Sequence, residues 1–321
     1  MVHLNGIPGL HRFNTLRAAI SRYSTWLLAS SRSLSLASLA IPTRRGAGSM
    51  SNNIPSIFAF YSPQRKIQSS LRFLVFCLAA LPAFAQGNYE IQVYGADTVE
   101  PGNTMIELHN NFTPEGSKTT TDGTYPTEHQ WHETIEITHG FTDWFETGLY
   151  IFTSAAPGQG WKWVGDHIRP RVRVPEKWHW PVGVSLSTEI GYQRRIFSAD
   201  TWTWEIRPII DQKKGRWYWA LNPALERSFH GPSVPKGVEF SPNVKVSYDF
   251  TPKIAGGFEY YGAEGPVTGF DALRNQEQQI FPTIDLNLSP DWEFNFGVGV
   301  GMTGSTDHLL IKMILGRRFK L

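Results

Sequence analysis

Beyond residue 102 the chain alternates between two rows of side chains over one stretch after another. From 182 to 193, Val182, Val184, Leu186, Thr188, Ile190 and Tyr192 form one row, and Gly183, Ser185, Ser187, Glu189, Gly191 and Gln193 the other. Stretch 292–303 repeats this, with Trp292, Phe294, Phe296, Val298, Val300 and Met302 set against Glu293, Asn295, Gly297, Gly299, Gly301 and Thr303. Near the end Leu309, Ile311, Met313, Leu315 and Phe319 face one way and Lys312 the other. Successive side chains of a strand point to opposite faces, so a period of two predicts strands with one apolar and one polar face. No stretch after Gln86 repeats its apolar positions with a helical period over a helix-length window.

The alternation predicts twelve strands, at 103–113, 130–139, 144–153, 165–174, 182–195, 202–212, 217–229, 238–249, 253–261, 277–288, 292–303 and 308–319. Most are near the roughly 9–11 residues that a tilted membrane-spanning strand needs. Connections at 140–143, 175–181, 213–216, 250–252 and 289–291 are short. Those at 114–129, 154–164, 196–201, 230–237, 262–276 and 304–307 are longer on average and rich in Gly, Ser, Thr and Pro. Three short connections nearly copy one another: Gly140-Phe-Thr-Asp-Trp144, Asp249-Phe-Thr-Pro-Lys253 and Leu288-Ser-Pro-Asp-Trp292. Their Thr, Ser, Asp and Pro favour tight turns by local hydrogen bonding or a preset φ. Short turns on one side and longer loops on the other are the layout of an outer-membrane barrel, whose short turns face the periplasm. Gly140, Thr142, Asp143, Thr251, Pro252, Ser289 and Pro290 are therefore expected at the periplasmic end.

A half-buried soluble sandwich alternates too, and the tryptophans separate the two readings. Trp144, Trp178, Trp180, Trp202, Trp204, Trp217, Trp219 and Trp292 fall at strand ends beside connections. Trp concentrates where a bilayer meets water, whereas a soluble protein buries most of it. Five prolines resist the pattern. Pro170, Pro208, Pro223, Pro242 and Pro282 fall within predicted strands, in the apolar row. Proline removes a ladder hydrogen bond, so bulges or shortened ladders are expected there.

Charge divides the chain unevenly. No Asp or Glu occurs from Met1 to Tyr89, where nine Lys and Arg lie; the rest holds 21 bases against 28 acids. The overall charge of +2 thus averages a basic leader with an acidic remainder, which gives no support to polyanion binding. Gln64–Arg72 supplies a basic start, Phe73–Leu81 a short apolar run and Ala83-Phe-Ala85 a small-residue cleavage site, so 64–85 reads as a secretory signal. Its apolar run is too short for a spanning helix, which takes about 20 residues. The single cysteine, Cys77, lies inside that signal. Residues 1–63 read as an extension from a start assigned too early, with Met50 as an alternative start, or as a disordered extension, of which the Arg- and Ser-rich stretch 1–49 resembles a transit peptide. Residues 86–102 read as a periplasmic segment or a plug, and 103–321 as the barrel.

The polar rows carry many charges. Arg169, Arg171, Arg173, Glu189, Glu205, Arg207, Glu226, Lys245, Glu259, Asp285, Glu293 and Lys312 are the expected pore lining, with Glu107, Glu136, Glu146, Asp211 and Glu239 on the same side. Rings of side-chain charge set selectivity in pores, but the same charges can instead neutralise one another in a packed lumen. Twelve strands lie between filled eight-stranded and open sixteen-stranded barrels. Arg169, Arg171 and Arg173 project from one face of one strand, as an anion ladder or as partners of acids on neighbouring strands. His129, His132 and His139 sit near Glu133 and Glu136. His129 and His132 face opposite ways on a strand, so no metal site is expected, and no cofactor. An outer-membrane hydrolase is the enzymatic alternative, with Ser305 and His308 its nearest candidates. No Gly-x-Ser-x-Gly, His-Glu-x-x-His or phosphate-binding glycine motif occurs.

His139-Gly-Phe-Thr-Asp-Trp-Phe-Glu-Thr-Gly-Leu149 resembles the Gly-Leu-Thr-Asp turn of the meta-pathway phenol-degradation family of outer-membrane proteins. Gly165-Asp166 matches that family's opening of the next strand, and Gly316-Arg-Arg-Phe319 its closing strand. The chain departs in having Phe141 where Leu is commoner, and in ending Phe319-Lys-Leu321 rather than on an aromatic residue. The resemblance implies a barrel of the channel type for hydrophobic or aromatic compounds, and it assigns no catalytic residue. The expectation is thus an all-β, transmembrane, antiparallel up-and-down barrel that passively takes up small organic solutes and is not an enzyme. A structural or adhesive barrel is the other alternative. Expected partners are outer-membrane lipid and lipopolysaccharide, the barrel-assembly machinery and a small-molecule solute, with no nucleic acid.

Overall fold

The computed structural model describes residues 88–320. The extension 1–63 and the signal 64–85 lie outside the described residues. The strands are β1 (Asn103–Glu115), β2 (Gln130–Thr142), β3 (Phe145–Ala156), β4 (Gly160–Arg173), β5 (Gly183–Gln193), β6 (Trp202–Lys214), β7 (Trp217–His230), β8 (Val238–Thr251), β9 (Ile254–Ala263), β10 (Gly265–Pro266), β11 (Glu277–Leu286), β12 (Trp292–Gly301) and β13 (Leu309–Lys320). β10 is a two-residue piece that extends the edge of β8 at Gly265↔Phe240. The other strands pair antiparallel with their neighbours, and β1 pairs with β13 from Asn103↔Lys320 onward. Twelve strands close into one barrel.

The expected strands are all present, with shifted ends. The main correction is at 154–164, read as a long loop from its Ser, Ala, Gly and Pro. β3 and β4 run on instead, and only residues 157–159 connect them. A register shift between Phe152 and Thr153 keeps the extension in phase, so Trp161 and Trp163 face outward with 58% and 41% of their surface exposed. Residues 262–276, also read as loop, contain β10.

The three copied turns share one hydrogen bond. The Thr142 hydroxyl accepts from the Trp144 N–H at 3.3 Å, Thr251 from Lys253 at 3.2 Å, and Ser289 from Asp291 at 3.3 Å. A side-chain oxygen two residues back thus replaces a backbone acceptor in each. Register shifts accompany the first two, at Gly140/Thr142 and Asp249/Thr251.

The prolines sit where a ladder pauses. β4–β5 pairing skips from Ile168↔Ile190 to Arg171↔Ser187 at Pro170. β6–β7 skips from Ile206↔Leu225 to Ile210↔Leu221 across Pro208 and Pro223. β11–β12 skips from Ile280↔Val300 to Thr283↔Gly297 at Pro282. β8–β9 pairing begins at Asn243, just after Pro242. A strand residue directs its N–H toward one neighbour only, so each proline forfeits one side of the ladder and keeps the other. Shortened ladders, rather than bulges, accommodate all five.

The outside of the barrel is apolar. Ile106, Ile137, Leu149, Ile168 and Ile190 stand directly opposite one another across five strands, all exposed. At the turn end this band is rimmed by exposed Phe141, Trp144, Trp217, Phe250, Trp292 and Phe319. At the loop end Trp131, Trp161, Trp163, Trp202, Trp204 and Phe229 form a second rim. Aromatic rings gather at both bilayer surfaces because one edge is apolar and the other polar. The chain is an outer-membrane barrel, and the three copied turns lie together at one end of it.

Leu149 is central in that band and Phe141 lies on its rim. Leu149→Arg should cost about 2–4 kcal/mol of folding free energy in lipid vesicles, and Phe141→Arg about 0–1 kcal/mol. Reversible urea unfolding in phospholipid vesicles measures both. Equal small losses would mean that the band does not face hydrocarbon.

Candidate functional site

Segment 88–102 runs through the lumen from the loop end to the turn end. Asn88 donates to Asp307 (2.6 Å), which also accepts from the Ser117 backbone and the Thr127 hydroxyl in the first loop. At the other end the Gly102 N–H donates to the Gly140 carbonyl at 2.8 Å. A Cβ on Gly140 would stand 2.1 Å from the Val99 carbonyl oxygen, so only glycine lets the segment leave the lumen here.

This segment joins no ladder, and inward side chains take the ladder's place. Asn111 donates to the Asn88 carbonyl, Thr134 to Tyr89 and Lys312 to Ile91, at 2.7 to 3.1 Å. Asn222 accepts from the Tyr94 N–H at 2.7 Å and donates back to its carbonyl at 3.0 Å, as a strand neighbour would. Arg171 donates to the carbonyls of Gly95 and Asp97, and Glu146 accepts from the Val99 N–H at 2.6 Å. The segment's apolar side chains build the barrel's interior. Ile91 and Val93 pack with Ala220, Tyr261, Phe281 and Leu310; Tyr89 with Tyr150, Phe152 and Val164; Tyr94 and Ala96 with Ile209.

Around this packing the expected lining residues point inward and find partners. Arg169 meets Glu136 at 2.5 Å, and Arg171 meets Glu146 at 2.7 Å. Arg173 meets Asp97 and Glu176 at 3.1 and 3.2 Å. The three arginines are thus paired with acids rather than free to form an anion ladder. The Arg169 guanidinium also lies over the Tyr94 ring, 4.6 Å from its centroid. Lys312, fully buried, bonds Glu259, which Lys245 reaches at 3.1 Å; Lys245 also meets Asp285 at 2.9 Å. Arg318 holds Glu293 at 3.1 Å. Arg207 grips Glu205 with two bonds, at 2.7 and 2.9 Å, and lies 3.8 Å from Glu90 of the segment. Glu189 meets His167 at 2.5 Å. Glu226 faces the lumen beside Glu205. In the first loop, the Gly116 N–H donates to Glu128 at 2.8 Å and holds its carboxyl below the usual range.

Two cavities flank the packed middle and share no lining residue. One of about 400 Å³ lies at the loop end, lined by Tyr89, Glu90, His132, Phe152 and His167 among others. One of about 800 Å³ lies at the turn end, between Tyr94, Asp97, Arg169, Lys245, Asp285 and Glu293. Ile91, Phe281 and Lys312 line neither cavity and belong to the layer between them.

The histidines singled out in sequence do not converge. His129 is a connection residue with φ 56°, His132 points into the lumen, and His139 bonds Thr104 on the outer face. Glu107, His109 and Glu136 do bring ligand atoms within 4.8 Å of one another. The Arg169 guanidinium already meets the charge of Glu136, so a cation is supplied from the chain itself. Ser305 donates to the Arg274 carbonyl at 3.0 Å rather than to His308. Asn111, Tyr150 and Asn222 were not singled out by sequence; their inward parity was readable, but their service to segment 88–102 was not.

No family model matches the chain, and no curated protein matches it. Among solved structures, an outer membrane channel from Pseudomonas putida F1 is 9% identical, with 72% of this chain and 100% of that chain covered and a TM-score of 0.49. The NanC porin is 9% identical, with 67% and 100% covered and a TM-score of 0.45. The KdgM porin is 9% identical, with 68% and 99% covered and a TM-score of 0.42.

The Lys312–Glu259 pair can be separated from its packing. Glu259→Gln leaves Lys312 buried with only neutral partners and should cost about 3–5 kcal/mol; Lys312→Met in the same chain should recover much of it. Urea unfolding of the two single variants and the double variant measures the coupling.

Proposed function

We propose that the barrel is a channel for passive uptake of small organic solutes across the outer membrane. The observation that carries this reading is the lumen itself: a cavity at each end, with a middle layer built from a strand-like segment rather than from the barrel wall. A barrel kept only for structure could be filled by its own inward side chains, as small barrels are. Here the filling is a separate length of chain, held largely by side-chain hydrogen bonds and exchangeable for water without opening the ladder. Solutes pass when the segment yields in the middle layer. Membership of the meta-pathway phenol-degradation family, suggested by the Gly140–Asp143 turn, is part of the same proposal, as are aromatic or hydrophobic solutes.

Single-channel recording in planar bilayers tests the reading. The intact barrel should show small, intermittent conductance. Asn222→Ala and Thr134→Ala together, which remove two side-chain holds on the segment, should raise the open fraction several-fold, since each lost hydrogen bond weakens the hold by about 0.5–1.5 kcal/mol. Silence of both proteins over a range of salts and voltages, with a normal heat-modifiable gel shift showing that they are folded, overturns the channel.

A further inference from the structure

The connection from β9 to β11, residues 264–276, carries an exposed apolar surface. Val267, Phe270 and Leu273 all face out of the protein, and Leu273, at 68%, is the most open large apolar side chain among the described residues. Single apolar residues on a surface are ordinary, whereas several together mark a contact. The loop 116–124, by contrast, reads Gly-Ser-Lys-Thr-Thr-Thr-Asp-Gly-Thr and offers none.

The connection lies back against the outside of the barrel. Glu264 and Val267 donate their N–H groups to the Phe240 and Val238 carbonyls at 2.9 Å, which extends the wall along β8. The chain then reverses. The Asp271 N–H donates to the Glu264 carbonyl at 2.9 Å, and the Phe270 ring stacks on Phe240 with centroids 6.0 Å apart. Phe240 faces outward, since Glu239 and Ser241 on either side of it are the buried ones. Along the register it stands opposite Leu225, and Leu225 opposite Ile206. The next outward set toward the loops is Val238, Arg227 and Trp204, and Trp204 belongs to the loop-end rim. Phe270 therefore rests beside that rim, on the lipid side of the wall.

A covered polar cluster points the same way. Gln278 and Ile280 are two residues apart on β11 and so share its outer face, yet Ile280 is exposed and Gln278 buried. The connection covers it. The Gln278 amide donates to Glu264 and Gln276, both at 3.0 Å, and accepts from the Tyr260 hydroxyl. Its backbone N–H donates to Thr306 Oγ1 at 2.9 Å. Opposite Gln278 stands Gly262, where a Cβ would lie 2.7 Å from the Tyr260 hydroxyl and 3.1 Å from the Glu264 carboxylate, so a glycine makes room for the cluster. Beside water an outward glutamine needs no such cover. Against hydrocarbon every polar group must find its partner within the protein.

We propose that residues 264–276 form a flap seated in the bilayer, with Val267, Phe270 and Leu273 among the lipid acyl chains and the Gln278 cluster sealed beneath. The flap's surface is continuous with the apolar band through Phe240 and Ile280, so the lipid that covers the band covers the flap. Asp271 and Arg274 in the same stretch hold it at the headgroup boundary, where one side of an element is wet and the other apolar. Solute passage plays no part in it, and the flap is seated whether or not the lumen conducts.

Residues 86–321 contain no cysteine, so single nitroxide labels test this in the mature barrel refolded into phosphatidylcholine vesicles. Labels are placed at Phe270→Cys and Leu273→Cys, with Leu149→Cys in the band and Lys118→Cys in the first loop as references. Electron paramagnetic resonance measures collisions with oxygen, which enters hydrocarbon, and with a nickel chelate, which stays in the water on both sides of the membrane. Both flap labels should collide readily with oxygen and lose contact with nickel, as the label at Leu149→Cys does. Ready nickel contact at Leu273→Cys, like that at Lys118→Cys, overturns the inference. Loss of contact with both reagents there also overturns it, since protein such as a second barrel then covers the patch. The heat-modifiable gel shift shows that each variant is folded. If loss of the ring stack keeps Phe270→Cys from folding, Leu273→Cys decides alone.

Discussion

A length of backbone inside a closed barrel has no strand to pair with, and every amide it takes out of water must be met by a side chain. That constraint organises the interior. The wall is self-sufficient, since closure leaves no free edge and the ladders satisfy its own amides. Segment 88–102 has no such supply, so Asn111, Thr134, Asn222, Arg171, Glu146 and Lys312 stand where a purely apolar filling would have sufficed for volume. Asn222 shows the substitution most directly, because its amide donates and accepts at Tyr94 as a strand residue would.

The charges follow from the same enclosure. Once the segment and its aromatic neighbours exclude water, an unpaired guanidinium or ammonium in the middle of the lumen is expensive, and breaking one member of a buried pair costs more than deleting both. Arg169 therefore shares its guanidinium between Glu136 and the ring of Tyr94, and Lys312 sits on Glu259 beneath Ile91. Such pairs do little for net stability when compared with a well-packed apolar alternative. They do fix which residues of the segment lie beside which strands, because a slide along the lumen would leave each cation facing the wrong carbonyl.

Much of this was legible in the chain. Period-two alternation placed the twelve long strands, and its parity put each expected lining residue on the inner face. The three copied turns had a common cause, a Thr or Ser hydroxyl accepting from an N–H two residues on. The prolines were legible as interruptions, although shortened ladders and not bulges absorb them. The stretch 154–164 misled because its small residues suit loops as well as strand ends; Trp161 and Trp163, two residues apart, were the contrary signal. The path of 88–102 was not legible, since no local pattern says which surface an extended segment lies against. One trace of it was present. Tyr150, Phe152, Ile209, Phe281 and Leu310 are large apolar residues in rows otherwise facing the lumen, and an open aqueous pore gives them nothing to pack on.

The two ends of the lumen consequently differ in kind. At the turn end, acids and bases alternate and close on one another, leaving a larger space with little net field. At the loop end the carboxylates of β5, β6 and β7 stand side by side with a single guanidinium among them, in a cleft walled by aromatic rings. The bases of the middle layer and the turn end are committed to their own acids, Arg169 to Glu136, Lys245 to Asp285 and Lys312 to Glu259.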